Sequence, residues 1–571
     1  MTQTSPPGAA PARAGAAIEP AVGRTPGRIA WTLGVGELVI AGLGLIGLLL
    51  VALDLPLGLL VGLGVLISAV LVVAVRTGTA DPPIGSGSLG RLLLLAAVVV
   101  VLAPGSALDW APVVLLAAAV TGEVVGARLV PIAVPYASNL PGVDVRRRAR
   151  VSAYLVLYVN AAALVLGLLA AALPVLTVLG WVAALASLGL TAVAVGDLAV
   201  WVRERRRAER RITKVLSTYA PRFALHWDAA PGTGYQISRW LPYLDRLGYR
   251  FVVFVRNPRS FEEAARMTGH PVLLRRGARE MDPVMVDSIR CVFYVNNALR
   301  NVHVVRYAGV RHVQLNHGDS DKATSYNPVF RMFDRNFVAG QAAIDRFAAH
   351  GVSTSPDFFE IVGRPQVEDV SVAASGARVE RVLYAPTWAG MHSDSAYSSL
   401  PIGPAIVRAL VERGCVVVYR PHPYTGRTPK LQEASEQVTA ILTEDRARTG
   451  RPHVFGEQAE RGWTIIDCFN AVDALISDVS SVVPDFLYSE KPFAIAAMTG
   501  TVEEFFAEMP VARGGYVIAR DGGNVGSALD DLLGADPHAE VRRSLKTYYL
   551  GDLPAEGYAN AFLDAARAEI G

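Results

Sequence analysis

Apolar residues follow two regimes along this chain. Up to about Val202 they form long, nearly unbroken runs; from Arg222 onward they form short runs separated by polar, helix-period stretches. The first regime contains six hydrophobic segments, Trp31–Leu53, Leu57–Val75, Leu89–Ala103, Trp110–Val130, Val151–Leu173 and Val175–Val202. A membrane-crossing helix needs about 20 apolar residues, so five are adequate in length and the third is marginal. Arginines fall in alternate connections only: Arg13, Arg24 and Arg28 before the first segment, Arg76 and Arg91 between the second and third, Arg146, Arg147, Arg148 and Arg150 between the fourth and fifth, and Arg203 to Arg211 after the sixth. The connections around Asp54, Asp109 and Pro174 contain neither Lys nor Arg. The positive-inside rule then predicts a multi-pass protein of the cell membrane with both termini cytoplasmic. Residues 1–28, rich in Pro, Ala and Gly, read as a disordered tail, 29–202 as an all-α transmembrane domain, and 203–221 as a basic juxtamembrane linker touching lipid head groups.

The second regime alternates strand and helix. Phe223–Trp227, Tyr249–Val255, Arg290–Val295, His312–Leu315, Arg381–Tyr384, Val416–Tyr419 and Ala474–Ile476 read as buried strands, and Ile237–Leu247 as a helix. Short apolar strands separated by helices predict an α/β region of two Rossmann-type domains with parallel sheets, 222–362 and 363–571, the boundary falling at Gly363-Arg364-Pro365. In such sheets ligands bind at the carboxyl ends of the strands.

Composition narrows the picture further. The mean hydropathy of +0.33 comes from the first regime, and a net charge of +3 without a basic, aromatic-studded face excludes a nucleic-acid partner. Cys291, Cys415 and Cys468 have neither disulfide nor zinc spacing and read as buried thiols. Gly42-Leu43-Gly44-Leu45-Ile46-Gly47 matches GxGxxG but lacks a strand-turn-helix context; with Gly58 and Gly62 it reads as a means of close helix approach. Of the ionisable residues near the spans, Glu37, Arg128 and Asp197 can snorkel, which leaves Glu123 as the candidate for a function inside the bundle.

Four polar clusters stand at predicted strand ends. Gln314-Leu315-Asn316-His317-Gly318-Asp319-Ser320-Asp321-Lys322 combines a histidine able to accept a hydroxyl proton with a glycine that lets a backbone approach phosphate. Tyr384-Ala385-Pro386-Thr387-Trp388 and Tyr419-Arg420-Pro421-His422-Pro423 follow two further strands. In the fourth, Ser477-Asp478-Val479-Ser480-Ser481-Val482-Val483-Pro484-Asp485, Ser480 or Ser481 caps a helix whose first turn contains Pro484, a ready anion site. A metal-binding reading of His317, Asp319 and Asp321 lacks further ligands, so no metal and no cofactor are expected.

The same residues carry a resemblance. QLNHGDSDK, LYAPTW, YRPHP and SDVSSVVPDFLYSEKPFAI, in that order and spacing, resemble the successive motifs of the CDP-glycerol glycerophosphotransferase family of teichoic acid polymerases and primases, over roughly residues 224–565. Tyr294-Val295-Asn296-Asn297 is similar to the segment that precedes the family's His-Gly; Asn316 and Asp319 depart from its usual aromatic and threonine. The resemblance implies a GT-B-like fold and transfer of glycerol phosphate from a CDP-glycerol donor, or a similar CDP-polyol, to a hydroxyl of a lipid-linked polymer acceptor, with release of CMP. It makes His317 the general base, with Gly318 and Asp319 beside it, and His422 a pyrophosphate ligand. Arg420, Thr387, Ser480 and Ser481 would complete the donor site, where Asp478 and Asp485 orient these groups or contact glycerol. The alternatives are a GT-B glycosyltransferase using a nucleotide sugar and a transport or sensory protein that binds a nucleotide without catalysis.

Overall fold

The computed structural model describes residues 26–76, 84–133, 136–143, 150–318, 323–373, 378–389 and 397–571, with side chains from Gly36 onward. Residues 1–25, Arg146–Arg148, Asp319 and Asp321 therefore lie outside the described residues. Each hydrophobic segment forms a helix: α1 (Pro26–Ala52), α2 (Leu57–Arg76), α3 (Ser88–Leu102), α4 (Ala107–Leu129), α5 (Ala153–Ala172) and α6 (Thr177–Tyr219). Four of them, α2, α4, α5 and α6, are long and apolar enough to cross a membrane; the described part of α1 and the 15-residue α3 are shorter. Helices α1 and α3 meet backbone to backbone, because a Cβ on Gly44 would strike the Gly90 carbonyl and one on Gly90 would strike that of Ile40. Close approach thus rests on Gly44, whereas Gly42, Gly58 and Gly62 face open space.

Two expectations about the bundle are corrected. Arg91 is not a connection arginine: it lies in α3, fully buried, in a two-pronged ion pair with Glu123 of α4 (Nη1–Oε1 and Nη2–Oε2, both 2.8 Å). Glu123 also accepts from Asn160 Nδ2 of α5 (2.7 Å) and the Gly85 amide (3.1 Å), and Asn160 reaches Ser187 and Thr191 of α6. Every charge here is matched, which is the condition for burying charge. Nor is 203–221 a linker. Helix α6 continues unbroken through the arginines, and Ala208, Ile212 and Leu216 are buried in the core of the following domain. Arg205, rather than facing lipid, donates to the Ile132 carbonyl and pairs with Glu280.

Beyond α6 the chain builds two sheets. The first has eight strands: β1 (Ala137–Ser138), β2 (Phe223–Trp227), β3 (Phe251–Val255), β4 (Val272–Leu274), β5 (Cys291–Tyr294), β6 (Arg311–Gln314), β7 (Arg335–Val338) and β8 (Phe359–Ile361), ordered β1-β4-β3-β2-β5-β6-β7-β8. All pairs are parallel except β1 with β4, so a connection of the helical region supplies the edge strand. The second sheet is wholly parallel, with β9 (Arg381–Ala385), β10 (Val416–Tyr419), β11 (Ala474–Ser477), β12 (Phe493–Ala497) and β13 (Tyr516–Ala519) in the order β10-β9-β11-β12-β13. Two Rossmann-type domains across a cleft make the α/β region GT-B-like.

The stretch read as one helix over 237–247 is two short ones, Tyr235–Ser238 and Leu241–Asp245, because Pro242 can only open a helix there. The last helix, Asn560–Ile570, leaves the second domain and returns to the first: Phe562 packs on Trp240 at a ring separation of 5.0 Å, and Glu569 pairs with Arg311 and Arg335. All three cysteines are buried thiols.

Candidate active site

His317 stands two residues past the Leu315 amide that closes the β6 ladder, on the floor of a cleft of about 900 Å³ between the two domains. The preceding Asn316 has φ +59°, a left-handed conformation in which Asn is enriched several-fold over most residues. Its side chain donates to Asn336 Oδ1 (2.9 Å) and the Phe337 carbonyl (3.2 Å), so the residue that departs from the family pattern is the one that forms this turn. The ring Nδ1 of His317 lies 2.7 Å from the Val295 carbonyl. A carbonyl only accepts, so Nδ1 carries the proton and Nε2 keeps its lone pair. Burial, aided by the charges of Arg364 and Arg239, lowers the His317 pKa to about 4, so the imidazole is neutral at physiological pH.

His422 has the opposite tautomer. Its Nδ1 accepts the Tyr424 amide at 3.1 Å, which places the proton on Nε2 and makes that atom a donor. The ring is held between Trp388, stacked at 6.0 Å, and the edge of Tyr424. One histidine is thus set to accept a proton and the other to donate a hydrogen bond, and both line the same cleft.

The remaining candidate residues divide by position. Thr387, Arg420, Ser480, Ser481 and Gly318 line the cleft. A Cβ on Gly318 would sit 2.9 Å from the Cβ and Oγ of Ser481, so only glycine lets the His-Gly turn of one domain touch the helix start of the other. Ser481 is the residue before Val482–Phe486, and Ser480 Oγ accepts the Val482 amide at 3.1 Å. Arg420 gives one guanidinium nitrogen to the carbonyls of Ala459 and Trp463, bracing that turn.

Asp478 and Asp485 do not line the cleft. Asp478 is fully buried, accepting the amides of Thr387 (3.0 Å) and Ser399 (2.8 Å) and the Ser399 hydroxyl (3.0 Å), and so shapes the wall from behind. Asp485 accepts from Arg364 Nε at 2.9 Å and has Arg239 at 3.9 Å; Arg364 in turn donates to the His317 carbonyl at 3.1 Å. This chain of contacts ties the second domain's helix to the turn that holds His317.

Among the cleft residues that the sequence reading did not name as part of a site are Tyr235, Arg239, Arg364 and Arg427. Tyr235 stands edge-on to His317 at 6.2 Å, and the Arg427 guanidinium lies 3.4 Å over the Tyr424 ring. Arg364 is the only one with a sequence signal, since it follows β8 in Gly363-Arg364-Pro365, where the domain boundary was expected. With Arg420 they give the cleft four guanidinium groups, which suits a ligand of high negative charge.

Comparison with known proteins bears on this geometry. No curated protein matches the chain. Among solved structures, the wall teichoic acid polymerase TagF is similar at 13% identity and a TM-score of 0.40, over 65% of this chain and 94% of that one. A UDP-N-acetylglucosamine 2-epimerase is similar at 14% identity and a TM-score of 0.39, over 61% of this chain and 95% of that one. Residues 371–501, which hold Thr387, Arg420, His422, Asp478, Ser480, Ser481 and Asp485, match the family described as CDP-Glycerol:Poly(glycerophosphate) glycerophosphotransferase. The match covers under a quarter of the chain and lies wholly after β8, on the second domain's side of the cleft.

Proposed function

We propose that this protein, held in the membrane by its helical region, transfers glycerol phosphate or a related polyol phosphate from a CDP-activated donor to a hydroxyl of a lipid-linked cell-wall polymer at the inner leaflet. The observation that carries the reading is the pair of opposite histidine tautomers in one arginine-lined cleft. In the reaction the acceptor oxygen forms a bond to the donor phosphorus that bears the polyol, as the bond from that phosphorus to the CMP oxygen breaks. His317 Nε2 takes the hydroxyl proton. His422 Nε2–H and the guanidiniums neutralise charge gathering on departing CMP, the step where phosphoryl transfer gains most from a protein.

The test separates the two histidines. His317→Ala removes the proton acceptor and should lower turnover about 10²–10⁴-fold with little change in donor affinity. His422→Ala deletes a hydrogen bond to a charged group, a loss of roughly 1.5–3 kcal/mol, and should weaken donor and CMP binding. CMP release and nucleotide binding are measured in both variants with CDP- and UDP-activated donors. Near-normal turnover in His317→Ala, or UDP release in place of CMP, defeats the proposal.

A further inference from the structure

The contacts between the helical region and the first sheet fix which way that sheet points. Along α6, Arg205 pairs with Glu280 just past the carboxyl end of β4, whereas the Tyr219 hydroxyl, fourteen residues further from the bundle by number, meets the Phe251 carbonyl at the start of β3. The connection after α4 repeats this order. Arg276 holds the Pro131 carbonyl (2.9 Å), the Leu274 amide donates to Tyr136, and Asn139 reaches the Thr268 carbonyl ahead of β4. Both lines place the carboxyl ends of β3 and β4 toward the bundle.

The segment after β5 lies on that side. Arg306 donates to the Ala278 carbonyl at 2.9 Å and His303 meets Arg256, so Val302–Val305 packs beside the turn that grips Pro131. The segment displays Leu299, 87% exposed, and Val302, 51% exposed; no other described large apolar side chain after α6 is as exposed as Leu299. Near it Arg276, Arg279 and Arg306 are exposed, Arg306 in an ion pair with the exposed Asp282, and Arg203 and Arg206 are exposed on α6. At its start Asn296 and Asn297 belong to the cleft wall.

We propose that residues 298–306 form a membrane-surface contact in which Leu299 and Val302 enter the headgroup layer of an anionic leaflet, with the arginines on its lipid phosphates, so that the cleft receives its acceptor from the leaflet plane. Apolar side chains rimmed by cations are what an anionic bilayer surface binds. This rests on the reading of the helices as membrane spans.

The experiment uses the full chain in phosphatidylglycerol-containing vesicles. Since the native cysteines are buried, Leu299→Cys can be labelled selectively with a polarity-sensitive dye. The dye should report an apolar setting and be quenched by lipids spin-labelled near the headgroup, whereas a label at Val541→Cys, exposed on the second domain, should report water. A water-like, unquenched label at 299 overturns the proposal. In the companion assay Leu299→Asp with Val302→Asp should raise KM for a vesicle-embedded acceptor about tenfold and leave that for a water-soluble analogue unchanged. Equal changes for both acceptors would overturn delivery from the leaflet. Wild-type protein stripped from vesicles by alkaline carbonate would instead defeat the spanning reading, and a wild type inert with every donor the transferase reading, since the dye measurement needs neither donor nor turnover.

Discussion

At the scale of single residues, the proposed reaction makes His317 the group that sets the pH behaviour. Its pKa of about 4 keeps the base neutral above that value, and protonation removes it as the pH falls through it. In the free enzyme kcat/KM should therefore be level through neutrality and drop only below about pH 5. Burial is the main cause of the low value, but Arg364 and Arg239 add to it, and a bound pyrophosphate would offset their charge. The acid limb of kcat should accordingly lie at higher pH than that of kcat/KM; coincident limbs in rate profiles would contradict this assignment. Gly318 supplies a second residue-scale expectation. Gly318→Ala pushes a methyl group into Ser481 across the cleft and should cost most of the turnover, and adding Ser481→Gly should recover part of it. What was legible here followed local chemistry: the strand-end His317, Gly318, His422 and the Ser-Ser pair were readable because strand, turn and helix start are short-range patterns. Arg239, Arg364 and the true partners of Asp485 were not, because those contacts join residues more than a hundred positions apart, and an aspartate near a helix start looks the same whether it faces ligand or a buried arginine.

At the scale of elements, the six helices and seven strands followed from hydrophobic period, while β1, β4, β7, β8, β12 and β13 were not read from it; β1 has two residues and β4 and β8 three, too few to carry a pattern. Arg91 shows the same limit in the bundle: sequence position put it in a connection, and its pairing with Glu123 put it inside. Removing one partner of such a fully buried pair strands the other charge, at a cost of about 3–5 kcal/mol, whereas replacing both by apolar residues of similar size is often neutral. Glu123→Ala should therefore lower the detergent-solubilised protein's unfolding temperature sharply, and Arg91→Met with Glu123→Leu should restore it while transfer activity persists. A double variant that folds but loses transfer would show that the pair serves the reaction and not the fold alone.

At the scale of the whole molecule, the catalytic platform is joined to the bundle by two independent connections, the rigid α6 and the chain through β1. Their joint consequence is a height gauge. An α-helix rises about 1.5 Å per residue, so seven extra residues near Val202 would lift the platform roughly 10 Å and turn it back nearly into phase. The lift alone would pull against the β1–β4 pairing and the Arg276 bond to the Pro131 carbonyl, which hold the connection after α4 to the platform. An insertion in α6 should thus abolish transfer to a bilayer-embedded acceptor, and lengthening the segment between Leu129 and Tyr136 in the same chain should rescue folding without rescuing reach. On the proposed reading, the height at which a substrate is met above the lipid is written into the length of α6 together with the segment that carries β1.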